Sequence, residues 1–335
     1  MWRETTQYDR NHKIFEEEFQ QWLPERILDF HAHVMPRGTV PEGETFSCAG
    51  HPLTRYDLDD FARDLDELYP GRQTSAVCFG MPHVGYDQRL NDDYLAARCD
   101  RKRFFPFRLI DPLNDKPETF GRDLEQGGFL GVKPYLNYVR KPDLNQVEIP
   151  EMLPDWAMEP VNDAGLIVML HIPRKARLAD PLNQTQIPEL CAKYPRARIV
   201  LAHIGRAYYM SNIVGYLDGL KDIPNLYFDL AMLNNWEVLE YLFTNVAPEK
   251  ILYGTDLPIA VAPGKSIEIN DQYTYVTPVP WSLSISDDHG KLVFTSFLYE
   301  ELRAIKKATE RTGLGPEFVS GLFHGHGMAL LEPLL

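Results

Sequence analysis

Short apolar runs alternate along this chain with segments whose apolar residues recur at helical spacing. An unbroken apolar run is typical of a buried parallel strand. Such runs predict eight strands, over residues 27–33, 75–82, 104–112, 129–135, 166–172, 199–206, 225–231 and 251–258. Helical spacing, capping residues and terminal glycines predict helices between them, near 58–68, 91–102, 117–126, 150–165, 211–221, 236–248 and 297–312.

This alternation predicts an α/β fold, and more narrowly a (β/α)8 TIM barrel with extended loops on its carboxyl face. No Pro/Ser-rich linker divides the chain, so we expect one domain over residues 1–335, with an N-terminal helical extension over 1–25. Three connections exceed the usual loop length: 35–56, 136–149 and 257–296. The last predicts a hairpin over the pocket, or equally an oligomer contact or a passive loop.

Four of the predicted strands end in residues that bind metals or move protons. In a (β/α)8 barrel the chemistry collects where the strands end, at the carboxyl face. We therefore expect one site built from the polar residues at these ends: His31, His33, His171, His203 and Asp256. Side chains two residues apart on a strand share a face, which lets His31 and His33 reach one ion.

Each of these residues also has a structural explanation. A histidine at a strand end is commonly a core residue that bonds to backbone, and Asp256 would then form a salt bridge. Burying a polar group without a partner costs about 1–3 kcal/mol, so several such residues on neighbouring strands favour a functional site. Asp29, two residues before His31, is also expected to face inward, either to orient a ligand or as a structural carboxylate.

Composition narrows the possible partners. The chain has 335 residues, a net charge of −14 and no Lys/Arg-rich run, which excludes nucleic acid and membrane surfaces as expected partners and leaves a small-molecule substrate. No apolar stretch is long enough for a membrane helix, and the first residues lack the order of a secretory signal. Four cysteines without C-x-x-C spacing predict buried free thiols and a cytoplasmic location.

An ordered set of motifs resembles the amidohydrolase superfamily, in particular its amidohydrolase-2 branch with the aminocarboxymuconate-semialdehyde decarboxylase-like enzymes. The motifs are D-F-H-A-H on strand one, G-V-K on strand four, M-L-H-I-P-R on strand five, L-A-H-I-G-R on strand six and Y-G-T-D-L-P on strand eight. The resemblance extends from about residue 26 to the glycine-rich end of the chain. There His326 stands near a position where the family commonly has asparagine, and we expect it to alter a structural hydrogen bond.

The resemblance implies one divalent metal ion, zinc, held by His31, His33, His171 and Asp256, with His203 beside it in the pocket. Three neutral imidazoles and one carboxylate suit Zn²⁺ and leave a position open for water or substrate. Such an ion lowers the pKa of bound water to about 7, and Asp256 or His203 would accept the proton. The family also implies a possible homodimer.

Several further residues are expected to bind the substrate. Arg174 and Arg206 each follow a site histidine by three residues, and guanidinium groups bind carboxylates in bidentate fashion. Salt bridges to acidic loops are the equal alternative. Lys133 is either a carboxylate anchor, an ion-pair partner or a carboxylated bridge between two metals, and the resemblance favours one metal. Tyr135 is a weaker candidate, as are two further residues, Arg108 and Tyr138.

Two catalytic functions use these residues. The first is hydrolysis of an amide, ester or lactone bond in a small, carboxylate-bearing substrate by metal-activated water. The second is metal-dependent, non-oxidative decarboxylation of an unsaturated or aromatic carboxylic acid. A scaffold protein that binds metal without turnover is a third interpretation, and the intact set of polar strand ends disfavours it.

Overall fold

Eight parallel strands form the central sheet of the protein. The computed structural model describes residues 8–48, 51–281 and 284–335. Each strand of the sheet is hydrogen-bonded to the next one along the chain. We number the strands β1 to β8, with the bounds Arg26–Val34, Gln73–Gly80, Phe104–Ile110, Gly131–Pro134, Ile167–Leu170, Arg198–Leu201, Leu226–Asp229 and Ile251–Leu252.

The chain after β8 closes the sheet against β1. The amide of Phe30 donates to the carbonyl of Tyr253 at 2.9 Å, and the amide of Asp256 donates to the carbonyl of His31 at 2.8 Å. A third bond of 2.7 Å runs from the amide of His33 to the carbonyl of Leu257. The predicted (β/α)8 barrel is confirmed, and its closure brings the ends of β1 and β8 side by side.

Helices connect the strands on the outside of the barrel. The α-helices that precede and connect the strands are Tyr8–Ile14, Leu58–Leu68, Gln88–Arg98, Pro117–Gly127, Ile149–Met152, Asp155–Asp163, Pro181–Lys193 and Trp236–Asn245. The N-terminal helix continues into a wider π-helical turn, Phe15–Phe19, whose two phenylalanines are buried. After β8 come Phe297–Thr312, Pro316–Ser320, the π-helical turn Gly321–Gly325, and His326–Leu331.

Two of the predicted helices differ from the structure. The prediction of a helix over 211–221 is wrong, because the structure has only a 3₁₀ turn, Met210–Asn212, and irregular turns there. Gly215 has a left-handed φ of 81° in this segment, and glycine costs about 1 kcal/mol inside a helix. The helix expected over 150–165 is interrupted at Pro154, since a residue before proline is disfavoured in helical conformation.

The barrel interior is filled by apolar side chains from nearly all strands, among them Leu28 and Phe30 of β1. Register shifts between Asp29 and Ala32 of β1, so the simple alternation of side chains breaks there. Leu28 and Phe30 both pack inside, and Asp29 between them therefore points outward. The expectation that Asp29 shares the inner face with His31 is wrong for this reason.

Asp29 instead ties β1 to the end of β8. Its carboxylate accepts hydrogen bonds from the amide of Thr255 at 2.9 Å, from the Thr255 hydroxyl at 2.5 Å and from the amide of His31 at 2.9 Å. Burial raises the pKa of Asp29 to about 7. The residue holds in place the two backbone segments that carry His31 and Asp256.

The three long connections carry structure of their own. The first contains the paired strands Phe46–Cys48 and His51–Leu53, and the second contains the 3₁₀ turns Leu136–Val139 and Leu144–Gln146. In the third, Lys265–Ile269 pairs antiparallel with Gln272–Thr277 to form a hairpin, and Ser284–Ser286 adds a parallel third strand. Residues 282 and 283 of this connection lie outside the described part of the chain.

The C-terminal helices cover the amino end of the barrel, away from the long loops. Leu330 and Leu331 belong to the interior cluster, and the guanidinium of Arg198 at the start of β6 donates to the carbonyl of Leu330 at 3.0 Å. The imidazole of His326 bonds to the carbonyl of Ile251 at 3.0 Å, so it serves the start of β8 rather than the carboxyl face.

Two further predictions from the sequence concern membrane-spanning helices and cysteines. Among the described helices none combines the length and the apolar character needed to cross a membrane. The four cysteines are free thiols; Cys48, Cys78 and Cys191 are buried, and Cys99 is half-buried.

Candidate metal centre

The ends of β1, β6 and β8 bring three potential ligands together. One ligand atom from each of His31, His203 and Asp256 lies within 4.8 Å of the others. Oδ1 of Asp256 is 3.5 Å from Nε2 of His31 and 3.1 Å from Nε2 of His33. All four side chains are almost fully removed from solvent.

Hydrogen bonds at the other ring nitrogen fix how these imidazoles face the cluster. Nδ1 of His31 lies 2.9 Å from Oδ2 of Asp229, and Nδ1 of His33 lies 2.9 Å from the carbonyl oxygen of Gly80. Nδ1 of His203 lies 2.8 Å from the carbonyl oxygen of Ala231. Carboxylate and carbonyl oxygens only accept, so we assign the proton of each neutral ring to Nδ1.

This assignment leaves an Nε2 lone pair on each of the three rings. The lone pairs of His31 and His33 face the Asp256 carboxylate, which is itself only an acceptor when ionised. Facing acceptors repel one another unless a cation or a proton lies between them. The donor set of His31, His33, His203 and Asp256 therefore fits a divalent cation, and imidazole with carboxylate is a ligand combination suited to zinc.

Electrostatics keep the imidazoles in the form that binds metals. Burial lowers the pKa of His31 well below its usual value, and burial also lowers the pKa of His203. Burial alone would raise the pKa of Asp256, but the adjacent histidines, His33 first among them, outweigh it and hold this pKa well below its usual value. His31 and His203 are therefore neutral beside the ionised Asp256 carboxylate.

Lys133, at the end of β4, belongs to the same cluster. Its Nζ lies 3.1 Å from Nε2 of His31 and 4.7 Å from the centroid of the Phe79 ring. Complete burial lowers the pKa of Lys133 to about 8, against the opposing effect of two carboxylates, Asp229 and Asp256. The amine is placed to interact directly with the metal ligands.

His171 stands one ring away from the tight group. The centroid of its imidazole is 5.5 Å from that of His203 and 4.6 Å from that of the Tyr135 ring. Its Nδ1 is buried and has no hydrogen-bond partner among the described residues. A buried ring nitrogen without a partner is a place for a ligand, and burial lowers the pKa of His171 well below its usual value.

Backbone strain is concentrated at these strand ends. His203, Ile204, Gly205 and Arg206 have φ values of 55°, 53°, 62° and 61°, which make one left-handed turn directly after β6. Asp256 also has a positive φ, 69°. A left-handed conformation costs non-glycine residues about 1–2 kcal/mol each, and such strain is typical of functional sites.

The predicted substrate-binding arginines are both engaged by the protein. Nε of Arg174 donates to Oδ1 of Asp180 at 2.7 Å. Nη1 of Arg206 donates to the carbonyls of Ile172 and Arg174, at 3.2 and 3.3 Å. Arg206 retains its remaining nitrogens for a ligand, whereas Arg174 is in the salt bridge that was its alternative explanation.

Arg108 and Tyr138 lie elsewhere. Arg108 donates to Asp92 at 2.9 Å and to Asp115 at 2.6 Å. Both candidates line a separate cleft of about 980 Å³, and none of the clustered histidines contributes to it. These two weaker candidates are therefore not part of the metal centre.

Asp229 is a site residue that the sequence interpretation missed. It ends β7, its Oδ2 contacts His31, and its Oδ1 accepts from the amides of His203 at 2.8 Å and Ala231 at 3.1 Å. Burial raises the pKa of this carboxyl group. The signal was present in the segment L-Y-F-D, where an apolar run ends in a carboxylate as it does before Asp256.

A protein-family model described as amidohydrolase (Amidohydro_2) matches residues 28–271. That range contains every histidine and carboxylate of the cluster. No curated protein matches the chain.

Several solved structures share the fold at low sequence identity. A probable 2-pyrone-4,6-dicarboxylic acid hydrolase from Acinetobacter baumannii, with citric acid bound, is 15% identical with a TM-score of 0.57, over 91% of this chain and 99% of that one. An amidohydrolase from Burkholderia multivorans with bound zinc is 13% identical with a TM-score of 0.58, over 91% and 99%. A 4-oxalomesaconate hydratase from Rhodopseudomonas palustris is 13% identical with a TM-score of 0.55, over 92% and 96%.

Proposed function

The chain belongs to the amidohydrolase family, in its amidohydrolase-2 branch, and from this premise we propose that it is a metal-dependent hydrolase. Its substrate would be a small, carboxylate-bearing molecule with an amide, ester or lactone bond. The observation that carries the proposal is the convergence of imidazole Nε2 lone pairs on the buried Asp256 carboxylate. Similar folds hold zinc in one structure and are described as a hydrolase in another.

The proposed ligands of one divalent ion, zinc, are His31, His33, His171 and Asp256, with His203 beside it. The tight group of His31, His203 and Asp256 includes His203 and not His171, so these two histidines compete as the remaining ligand. Titration of zinc into His171→Ala and His203→Ala distinguishes them. The variant that lacks a true ligand should bind zinc far more weakly than the other, and native mass spectrometry should count one ion per chain.

When bound, such an ion acts as a Lewis acid and lowers the pKa of a coordinated water to about 7. The protein supplies the groups that move protons. Asp256 is ionised and buried, and Nε2 of His203 carries a free lone pair, so either group would accept a proton from the attacking water and return it to the leaving group.

Charged and phenolic groups around the cluster would orient the substrate. The free nitrogens of Arg206, the amine of Lys133 and the phenol of Tyr135 surround the histidines and suit a carboxylate. Arg174 would join them only by leaving Asp180. Because Arg206 is anchored on two carbonyls, its guanidinium is held in a defined orientation before the substrate binds.

The direct test is a substrate screen with and without metal. Zinc-loaded protein is incubated with carboxylate-bearing lactones, esters and amides, and the release of acid and of alcohol or amine is measured. We expect turnover that a chelator abolishes and that His33→Ala lacks while its circular dichroism spectrum is unchanged. Turnover that persists in metal-free protein would contradict the proposal.

Decarboxylation of an aromatic or unsaturated acid is the second candidate. Aromatic rings favour it: Tyr135 lies against His171 at 4.6 Å and Tyr208 lies 5.9 Å from His203, which gives planar walls beside the cluster. Asp256 and His203 would then transfer the proton to the carbon that loses carbon dioxide. Release of carbon dioxide, measured in the same screen, separates this activity from hydrolysis.

A further inference from the structure

Arg177 lies near the metal centre and has no counter-ion among the described residues. It begins the 3₁₀ turn Arg177–Ala179 in the connection that follows β5. Within the described part of the chain its guanidinium makes no ion pair and no side-chain hydrogen bond, and its Nε is buried without a partner. Its only described contacts are with rings: the guanidinium carbon lies 4.3 Å from the centroid of Tyr273 and 5.5 Å from that of Tyr208.

The two tyrosines connect Arg177 to the metal centre. The Tyr208 ring lies 5.9 Å from the His203 ring, and Tyr273 stacks on Tyr208 with a centroid distance of 4.6 Å. One ring therefore separates the guanidinium from a histidine of the cluster. The position is on the carboxyl face, where the substrate must enter.

The hairpin after β8 builds one side of this position. Tyr273 belongs to its second strand, Gln272–Thr277. On the first strand, Glu268 accepts hydrogen bonds from the amide of Met210 at 3.1 Å and from the side chain of Asn235 at 2.8 Å. These bonds hold the hairpin against the loops after β6 and β7, so Tyr273 is a fixed wall.

The neighbouring arginines show how unusual a free guanidinium is here. Arg174 is paired with Asp180, and Arg206 is bonded to two carbonyls, although all three arginines lie close together. In a chain of net charge −14, none of the described carboxylates pairs with Arg177. A partly buried cation is stabilised by aromatic faces, but its N–H groups still require acceptors.

We propose that Arg177, with Tyr208 and Tyr273 as walls, forms a subsite that binds a carboxylate of the substrate remote from the bond that reacts. Arg177 is then a specificity-determining residue: its fork of N–H donors matches a carboxylate, and the rings restrict the approach. The inference rests on the proposed function because it places the reacting end of the substrate at His203 and Asp256. It assigns this chain to substrates with at least two anionic ends.

The test measures binding and requires no turnover. Dissociation constants for zinc-loaded protein are measured by calorimetry with linear dicarboxylates from succinate to suberate, and with the monocarboxylates of equal chain length. A charged hydrogen bond contributes about 1.5–3 kcal/mol, so we expect the dicarboxylate of matching length to bind about 10-fold to 100-fold more tightly than its monocarboxylate. In Arg177→Met this advantage should vanish.

Lys175→Met is the matched control, because it removes an exposed cation from the same loop. It should keep the advantage of the dicarboxylate. Equal binding of both series to the unaltered protein, or an advantage that persists in Arg177→Met, would overturn the assignment. Native mass spectrometry of each variant confirms that zinc is bound, and a failed substrate screen with an intact dicarboxylate advantage would refute the proposed hydrolysis alone.

Discussion

Nδ1 of His31 lies 2.9 Å from Oδ2 of Asp229, and both side chains are buried. The carboxylate fixes the tautomer of the imidazole and turns Nε2 toward Asp256. The other oxygen of Asp229 accepts from the amide of His203. One carboxylate at the end of β7 thereby orients groups from β1 and β6.

Replacing Asp229 with asparagine should weaken metal binding. The amide cannot hold the imidazole of His31 as the carboxylate does, and loss of such a partner costs about 10-fold to 100-fold in metal affinity. Competition with a chromophoric chelator measures the dissociation constant for zinc. Asp222→Asn, at an exposed carboxylate, is the control and should bind zinc normally. Equal affinities for the two variants would show that Asp229 does not support the site.

Metal removal should lower the stability of the protein. A ligand that binds only the folded state, present at 1,000 times its dissociation constant, stabilises it by about 4 kcal/mol. We expect zinc to raise the melting temperature of chelator-treated protein, because the cation relieves the facing acceptors of His33 and Asp256. His33→Ala should lose most of this effect, and His289→Ala, at an exposed histidine, should retain it. An equal zinc response in both variants would argue against His33 as a ligand.

Burial of Lys133 predicts a pH dependence of stability. Burial lowers its pKa from 10.5 to about 8, so between these values the unfolded chain binds a proton that the folded chain does not. The contribution of this group to the free energy of unfolding of metal-free protein should therefore rise between pH 8 and 10.5, by on the order of 3 kcal/mol.

Lys133→Met isolates this effect. Urea denaturation at each pH should show the unaltered protein and Lys175→Met, which removes an exposed amine, gaining stability relative to Lys133→Met as the pH rises from 8 to 10.5. If Lys133→Met follows the same pH profile as the unaltered protein, the lysine does not release its proton on folding.

The left-handed turn after β6 predicts a cost for a side chain at Gly205. Its φ is 62°, and an added Cβ would lie 2.9 Å from Cδ1 of Leu178. Gly205→Ala should lose about 1–2 kcal/mol of unfolding free energy from backbone strain, with a further loss from the contact. In Gly219→Ala an added Cβ meets no atom within 4 Å, so that variant is the control. Equal unfolding free energies for the two variants in chemical denaturation would contradict the predicted strain at Gly205.

We expect Arg206 to contribute to the affinity for the substrate. Arg206→Ala should raise KM for a carboxylate substrate about 10-fold or more, since a hydrogen bond to a charged group contributes about 1.5–3 kcal/mol. Steady-state kinetics on the substrate found in the screen measure the change. Arg196→Ala, at an exposed arginine, should leave KM unaltered. An unchanged KM in Arg206→Ala would remove this residue from the pocket.

The order of strands and helices was largely predictable from sequence. Apolar runs, helical spacing and capping residues are local signals, and they located the eight strands of the barrel. The helix prediction for 211–221 failed because the apolar residues there recur at helical spacing, whereas Gly215 takes a left-handed conformation. Tertiary contacts stabilise that irregular path, including a bond from the amide of Gly215 to the hydroxyl of Tyr241.

Sequence by itself determined that imidazoles and a carboxylate end several barrel strands, since strand ends are marked by where apolar runs stop. Tertiary structure decided which of them meet: His203 enters the tight group, and Asp229, which ends its strand as Asp256 follows the last one, orients His31. It also decided that Arg174 forms an ion pair, whereas Arg177 forms none with the part of the chain that the structure describes. These outcomes depend on residues far apart in the chain and on a local register shift in β1, which no periodic pattern encodes.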